Sequence, residues 1–436
     1  MPQADRRWYR LDNAARLFPA LISQRTSTVF RVACVLKESV DEALLQQALD
    51  RVIERFPSFR VRLRDGLFWA FLEQNKVKPK VQQEVFDPCR APRGKSDRGF
   101  LFRVLVFNKR ISVECSHALT DGMGAVVFLS ALLAAYLDLL GVPEADQASV
   151  LDLEAEVDAA EQEDGYAKYF DKDVPPSQRL EKAWRLRDVL GPASRYDVLH
   201  GLVPVAAIKE RAKEAGVSMT EYLAAHHLMA LQSLQSEAAA LGYRKRPLRL
   251  MLPVNLRRHL PSTSVHNFFL PVYPEIDPRL GVYTFKETLD AVHHDMGRMN
   301  VPKWMSRQIA RNVKSAQHPF VRAIPNPIKR LVVPWVYAVF GSKQHSGVFS
   351  NLGPMKLPEA VAECVERFEF IPNPNPATVA NLGVVAFGDT AVLSFASLSP
   401  ACRLPGVFFQ SLRSAGVPVK LESNRSKIRD IDIKAR

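Results

Sequence analysis

Apolar residues set two rhythms along the chain. Over 40–56 ("VDEALLQQALDRVIERF") Ala43, Leu44, Ala48, Leu49, Val52, Ile53 and Phe56 recur on one helical face, and Pro57 ends the run. The following "FRVRL" alternates as a strand, and "LFWAFLE" beyond Gly66 reads as another. "FLFRVLVF" (100–107) and "ISVECSHAL" (111–119) are strand-like runs separated by "NKR", which predicts a hairpin. Gly122 and Gly124 break the alternation, and "AVVFLSALLAAYLDLL" (125–140) predicts a buried helix. His117 therefore falls near a strand end, just ahead of a loop and that helix.

The pattern restarts with "YDVLHGLVPVAAIKERAKEAG" (196–216). "SMTEYLAAHHLMALQSL" (218–234) predicts a helix opened by Ser or Thr with an acid close behind. "PLRLMLPVNLRRHL" (247–260) reads as a strand running into a loop, and "GVFSNLGPMKLP" (347–358) as a strand ending in a Gly-Pro turn. "VVAFGDTAVLSFA" (384–396) predicts a hairpin about Gly388-Asp389. Between the two halves, "DKDVPPSQ" (171–178) marks a linker, because Pro175-Pro176 cannot continue a helix. A chain of 436 residues exceeds what one core usually supports, so two lobes of roughly 200 residues each are expected. Helices and strands mix without regular βαβ alternation, which predicts an α+β class rather than a Rossmann-type sheet. The lobes are expected at 1–172 and 201–436, with 173–200 as the link.

Composition changes this picture little. The chain is 47% hydrophobic and 24% charged, as globular proteins are. Cys34, Cys89, Cys115, Cys364 and Cys402 form no CxxC pair, so neither a disulfide framework nor a zinc site is indicated. The opening "MPQADRRWYRLDNAA" lacks the apolar run of a secretory signal, and the run Ala125–Leu140 is interrupted by Ser130 and Asp138. A cytoplasmic location is the resulting expectation.

Charge says more. The net charge is +13, yet residues 144–164 carry nine acids and no Lys or Arg. From Met296 to Pro358 there are ten Lys or Arg and no acid. Such a stretch suits cofactor phosphates, an acidic carrier protein or an anionic membrane, and equally a solvated basic surface. Nucleic acid is not expected, since no binding module appears and aromatics are not interleaved with the basic residues.

The candidate chemistry lies in "SHALTDGMG" (116–124). An imidazole is the side chain best poised near neutral pH to take a proton from an attacking alcohol or amine. Asp121, four residues after His117, could fix the ring or lock the loop through an ion pair. Gly122 lets a ligand approach the backbone closely. A plain loop histidine beside an Asp-Gly turn is the alternative. The pairs His226-His227 and His293-His294 sit on helical segments at neighbouring positions, which do not converge on one metal. Cys115 shares a strand face with His117 and reads as a small buried hydrophobe. No G-x-S-x-G elbow occurs.

"SHALTDGMG" resembles the HxxxDG motif of the CoA-dependent acyltransferase superfamily. That group includes chloramphenicol acetyltransferase, plant BAHD acyltransferases, polyketide-associated acyltransferases and the condensation domains of nonribosomal peptide synthesis. "LPVNLRRHL" followed by "HNFF" is similar to the second-lobe PVNxR element and the asparagine beyond it. "SNLGP" resembles the strand that crosses between the lobes, and "YRLDNAARLFPA" the start of bacterial alcohol acetyltransferase-like members. The elements stand in family order over most of the chain. Two departures are plain: Ser116 replaces the first of the two histidines typical of condensation domains, and the plant DFGWG signature has no clear counterpart.

The resemblance implies two chloramphenicol-acetyltransferase-like lobes forming a pseudodimer around a central tunnel, with His117 at its middle as general base. Asp121 would be mostly structural, paired with Arg257, with Gly122 and Asn255 as further motif residues. Ser350 and Asn351 would contact the oxyanion or the pantetheine. The implied reaction moves an acyl group from acyl-CoA, the co-substrate, to an alcohol or amine, with no metal and no permanently bound cofactor. A carrier-protein thioester donor, a non-catalytic thioester-binding module and a hydrolase are the alternatives. An acyl carrier protein is a candidate partner, nucleic acid is not, and a monomer is expected. "IKRLVVPWVYAVFG" (328–341) could form an acceptor entrance or touch a membrane peripherally, or else be a core segment under a lid. Pro334 speaks against a simple amphipathic helix there.

Overall fold

The computed structural model describes residues 8–425 apart from 24, 93, 95, 178, 179, 194, 319–322 and 337–341. The start of the chain and the end of the 328–341 segment thus lie outside the described residues. The hairpin expected at 100–119 forms from Phe102–Phe107 and Arg110–Ser116, paired antiparallel with Phe107 opposite Arg110. Its two-residue turn works because Asn108 adopts a φ of 51°, which asparagine tolerates better than most residues. These strands belong to a five-stranded sheet ordered Val365–Ile371, Val29–Leu36, Arg110–Ser116, Phe102–Phe107 and Val81–Gln83. One face carries Ile111, Val113 and Cys115 into the first-lobe core, together with Phe30, Val32 and Cys34.

Two helices cover that face. Glu42–Arg55 starts on Asp41, whose carboxylate accepts from the N–H groups of Ala43 and Leu44. Its inward residues are Leu45, Ala48, Leu49, Val52 and Ile53, so Leu45 takes the place expected for Ala43. Gly122–Leu139 is long and apolar enough to cross a membrane by composition, yet it is mostly buried and forms the centre of the first core.

The second lobe is built on an eight-stranded sheet. Its main order is Phe269–Val272, Leu248–Asn255, Gly347–Pro354, Ala380–Phe387, Thr390–Ser397, Asp197–Pro204 and Lys420–Ser423. The hairpin about Gly388-Asp389 joins the strands Ala380–Phe387 and Thr390–Ser397. The helix Met219–Ala240 carries the expected cap: Ser218 accepts from the Glu221 N–H while Glu221 reaches back to the Ser218 N–H. His226 and His227 lie inside it. His226 Nδ1 is 2.7 Å from Ser411 Oγ, and His227 packs among Phe349, Phe395 and Phe408.

The strand that crosses between the lobes is not the one expected. Gly347–Pro354 runs parallel to Leu248–Asn255 and Ala380–Phe387 inside the second-lobe sheet. The crossing is made by Val365–Ile371, which pairs antiparallel with Val29–Leu36. Its alternation explains this: Phe368 and Phe370 enter the first core, while Arg367 and Glu369 meet charged groups on the opposite face. Phe349 of Gly347–Pro354 instead belongs to the second core. Within 173–200, Trp184 is buried in the second core, and the strand Asp197–Pro204 begins.

The 328–341 segment also differs from expectation. Asn326–Val336 is a helix with no buried residue, so it is not a core segment. Pro334 lies inside it and supplies no N–H to the helix ladder. Leu331 is 79% and Trp335 63% exposed. The helix packs against the short helix Phe18–Leu21 and against the hairpin tip at Leu67–Trp69, where Lys329 Nζ donates to Phe68 O at 2.8 Å.

Candidate active site

The strand Arg110–Ser116 delivers His117 to the junction of the lobes. His117 N–H donates to Thr28 O at 2.9 Å, extending the pairing with Val29–Leu36 by one residue. From there the motif is strapped to the second lobe. Asn267 Nδ2 donates to His117 O at 2.9 Å, and Thr120 Oγ1 to Val265 O at 2.5 Å. His266 Nδ1 lies 3.3 Å from Leu119 O.

Asp121 is the busiest strap. Its Oδ1 caps the helix Gly122–Leu139 by accepting from the Gly124 N–H at 2.9 Å. Its Oδ2 accepts from the Phe268 N–H at 2.8 Å and from Arg257 Nη1 at 2.9 Å. Each nitrogen of the Arg257 guanidinium is engaged, since Nε donates to Ser264 O and Nη2 to His266 O. Asn255 completes the clamp: its Oδ1 accepts from the Arg257 N–H at 3.1 Å and from Nη1 at 3.2 Å. Asp121 was grouped with His117 as a catalytic candidate, but its hydrogen bonds all go to the loop, the helix and Arg257. Its charge raises the His117 imidazole, and its hydrogen bonds hold the backbone that follows His117.

The imidazole is enclosed by three aromatic rings. Phe18 stacks at 5.1 Å between centroids, Phe30 lies tilted at 4.6 Å and Phe269 at 5.9 Å. Burial pushes His117 down to about 4; the Asp121 charge acts the other way but does not prevail. The ring is therefore neutral at pH 7. Among the described residues the buried Nδ1 has no partner at hydrogen-bond distance and angle. Behind it, Asn267 Nδ2 also donates to Asp12 Oδ2 at 2.9 Å, and burial raises Asp12 to about 6.

The remaining candidates fall as follows. An added Cβ on Gly122 would come within 2.8 Å of Leu352 Cδ2, so what approaches this glycine is the second lobe. Gly124 is the stricter requirement: a Cβ there would lie 2.1 Å from Thr120 Oγ1 and 2.2 Å from the Val265 carbonyl oxygen. Asn351 is committed, its Nδ2 donating to Thr220 Oγ1 and its Oδ1 accepting from the Gly353 N–H. Ser350, half-buried in the same strand opposite Gly383, makes no hydrogen bond through its hydroxyl among the described residues. Cys115 is fully buried in the first core. Among the described residues no three His, Cys, Asp or Glu side chains converge on a possible metal. The sequence reading gives no site role to Asp12, Phe18, Phe30, Phe269 or Gly124, although Gly124 lies in the motif and the family-like stretches "YRLDNAARLFPA" and "HNFF" contain Asp12, Phe18 and Phe269.

No family model matches the sequence, and no curated protein matches it. Solved structures do. Polyketide synthase associated protein 5 from Mycobacterium tuberculosis superposes with a TM-score of 0.57 at 12% identity, covering 93% of this chain and 96% of that one. The starter condensation domain of rhizomide synthetase, solved with C8-CoA, gives 0.56 at 15% identity over 93% and 92%. The wax ester synthase/diacylglycerol acyltransferase from Marinobacter aquaeolei VT8 gives 0.53 at 13% identity over 93% and 98%. Nearly the whole chain thus has the two-lobed fold shared by condensation domains and related acyltransferases.

Proposed function

We propose that this protein is an acyltransferase that uses His117 as general base to move an acyl group from a thioester to an alcohol or amine. The observation that carries this reading is the state of His117: a neutral imidazole, walled by aromatic rings and fixed at the lobe junction by hydrogen bonds to its backbone. His117 takes the proton of the acceptor as its oxygen or nitrogen attacks the thioester carbonyl. The oxyanion that forms collapses, the carbon–sulfur bond breaks, and the imidazolium returns the proton to the departing thiolate. The Asp121 carboxylate favours that transient imidazolium through space while holding the loop. The Ser350 hydroxyl is the donor we assign to the oxyanion or the pantetheine. Acyl-CoA is the donor we favour, with a carrier-bound thioester the nearest alternative.

The acceptor is proposed to be lipid-like. The exposed Leu331 and Trp335, the tip residues Leu67 and Trp69, and the basic Lys329 form one surface suited to a membrane, with Arg330 held to Asp65 at its side. That surface rests on Phe18–Leu21, whose Phe18 stacks on His117. One assay tests both proposals: thiol release from acyl-CoAs, with short soluble alcohols or long-chain alcohols in anionic vesicles. We expect acceptor-dependent release, greatest with the vesicles, that falls about 10²- to 10⁴-fold in His117→Ala. Unchanged turnover in a folded His117→Ala protein would refute the base. A preference for short soluble alcohols would refute the lipid acceptor.

A further inference from the structure

A second concentration of charge lies away from His117. The chain linking the lobes crosses the starts of two strands of the eight-stranded sheet. Ala183 N–H donates to Lys343 O at 2.9 Å, and Trp184 N–H to Pro247 O at 2.8 Å. Arg249 Nη1 ties the same region together by donating to Glu181 O at 2.9 Å and Gln344 O at 2.6 Å. With Trp184 buried in the second core, three segments are held side by side. Between them is a cavity of about 290 Å³ lined by Lys182, Arg185, Arg187, Arg244, Arg246 and Lys343. That volume is near the lower end of small-molecule sites, roughly 300 Å³.

No carboxylate lines this cavity, and among the described residues none of the six cations forms an ion pair. Nearby carboxylates are already used: Glu181 pairs with Arg279, and Glu275 with Arg249. Burial, then the charges of Arg187 and Arg246, hold the Arg185 guanidinium below its usual range. Like charges gathered without a counter-charge oppose folding. Tyr243, more than half exposed, adds an aromatic face to the lining.

We propose that this cavity is a binding site for a multiply phosphorylated anion. Guanidinium forks match phosphate oxygens in pairs, and two or more phosphates supply the charge that the protein withholds. The ligand has two candidate sources: the nucleotide end of a CoA thioester, or a free phosphorylated small molecule. The strand Leu248–Asn255 runs from the cavity towards the Asn255–Arg257 clamp, about 25 Å at ~3.3 Å per residue. Only an extended ligand occupies both places at once.

Calorimetric titration with sodium pyrophosphate, adenosine 3′,5′-bisphosphate and CoA tests the site without turnover, so it stands or falls apart from the acyl-transfer reading. The comparison is between wild type and R185Q/R246Q, with K182Q as a milder variant should the double variant fail to fold. We expect pyrophosphate and the bisphosphate to bind wild type, and to bind the double variant at least about tenfold more weakly. Added salt should weaken binding to wild type. A parallel loss for CoA identifies the thioester's nucleotide as the ligand. CoA binding that is unchanged while pyrophosphate binding falls identifies a separate phosphorylated molecule. No binding to wild type, or equal binding to wild type and folded variants, overturns the proposal.

Discussion

On the polar face of the five-stranded sheet the buried guanidiniums of Arg31 and Arg103 meet carboxylates; around the linker cavity six cations have no ion-pair partner among the described residues. That face lies opposite the first-lobe core, and on it Arg31, Arg103 and Glu114 alternate with the apolar residues. Glu114 Oε1 accepts from Arg31 Nη2 at 2.7 Å, and Oε2 from Arg103 Nη2 at 2.6 Å. Arg31 also pairs with Glu84, and Arg110 and Arg367 with Glu369. At the edge of this region Arg257 pairs with Asp121. Charges matched this closely inside a protein have no capacity left for a ligand; here they tie together the strands of the five-stranded sheet and the segments that cover its polar face. The cavity cations are unmatched and reachable from solvent, so the charge they need comes from outside.

Breaking this network at Glu114, the carboxylate shared by two buried guanidiniums, has the largest expected effect. Glu114→Gln leaves two buried guanidiniums short of a counter-charge and is expected to cost about 3–5 kcal/mol of stability in urea denaturation. Burial by itself would raise Glu114, but Arg103, Arg31 and the Cys89 N–H outweigh it and hold the carboxyl at about 2. A carboxyl lowered on folding stabilises above its unfolded value, near 4.5, and that contribution disappears as pH falls through about 2. Wild type should lose stability across this window, and the Gln variant should lose less.

Asp121→Asn is expected to be milder, about 2–3 kcal/mol, because one ion pair is lost and the capping oxygen survives. Its rate should fall by up to about 10²-fold as the loop carrying His117 loosens. The pH profile separates this from simple loosening. The Asp121 charge raises His117, so its removal should move the acid limb of kcat/KM to lower pH. An unmoved limb would confine Asp121 to a mechanical role.

Elements built on local chemistry were legible in the sequence. The turns at Asn108 and Gly388 and the capping box at Ser218 each need only a few adjacent residues, and each formed as read. The Asp121–Arg257 pair spans 136 residues and was reachable only through the motif resemblance. Nothing local marks Asp12, which meets Asn267 across 255 residues, or Phe18, which lies almost 100 residues before His117 and meets it only in the folded chain. The crossing strand was misread although its signal was present. In "VERFEFI" Arg367 and Glu369 occupy one face and Phe368 and Phe370 the other, as expected for a strand with a core on one side and paired charges on the other. The helix Asn326–Val336 was obscured by Pro334, because a proline inside a helical run argues against a helix although this one is accommodated.

The cavity provides the smallest effect and the opposite sign. Removing one partner of a matched pair leaves a charge stranded; removing one of six like charges relieves repulsion. R185Q/R246Q should therefore leave the melting temperature unchanged or slightly raised, within about 0.5 kcal/mol of wild type at low salt. Salt should narrow that difference by screening the same repulsion. Pyrophosphate should reverse it, because a ligand that binds only the folded protein stabilises in proportion to its occupancy, and the variant has lost that binding. A double variant clearly less stable than wild type without ligand would show that these cations have unseen partners within the protein. The distinction between matched charge as structure and unmatched charge as a binding site would then fail for this molecule.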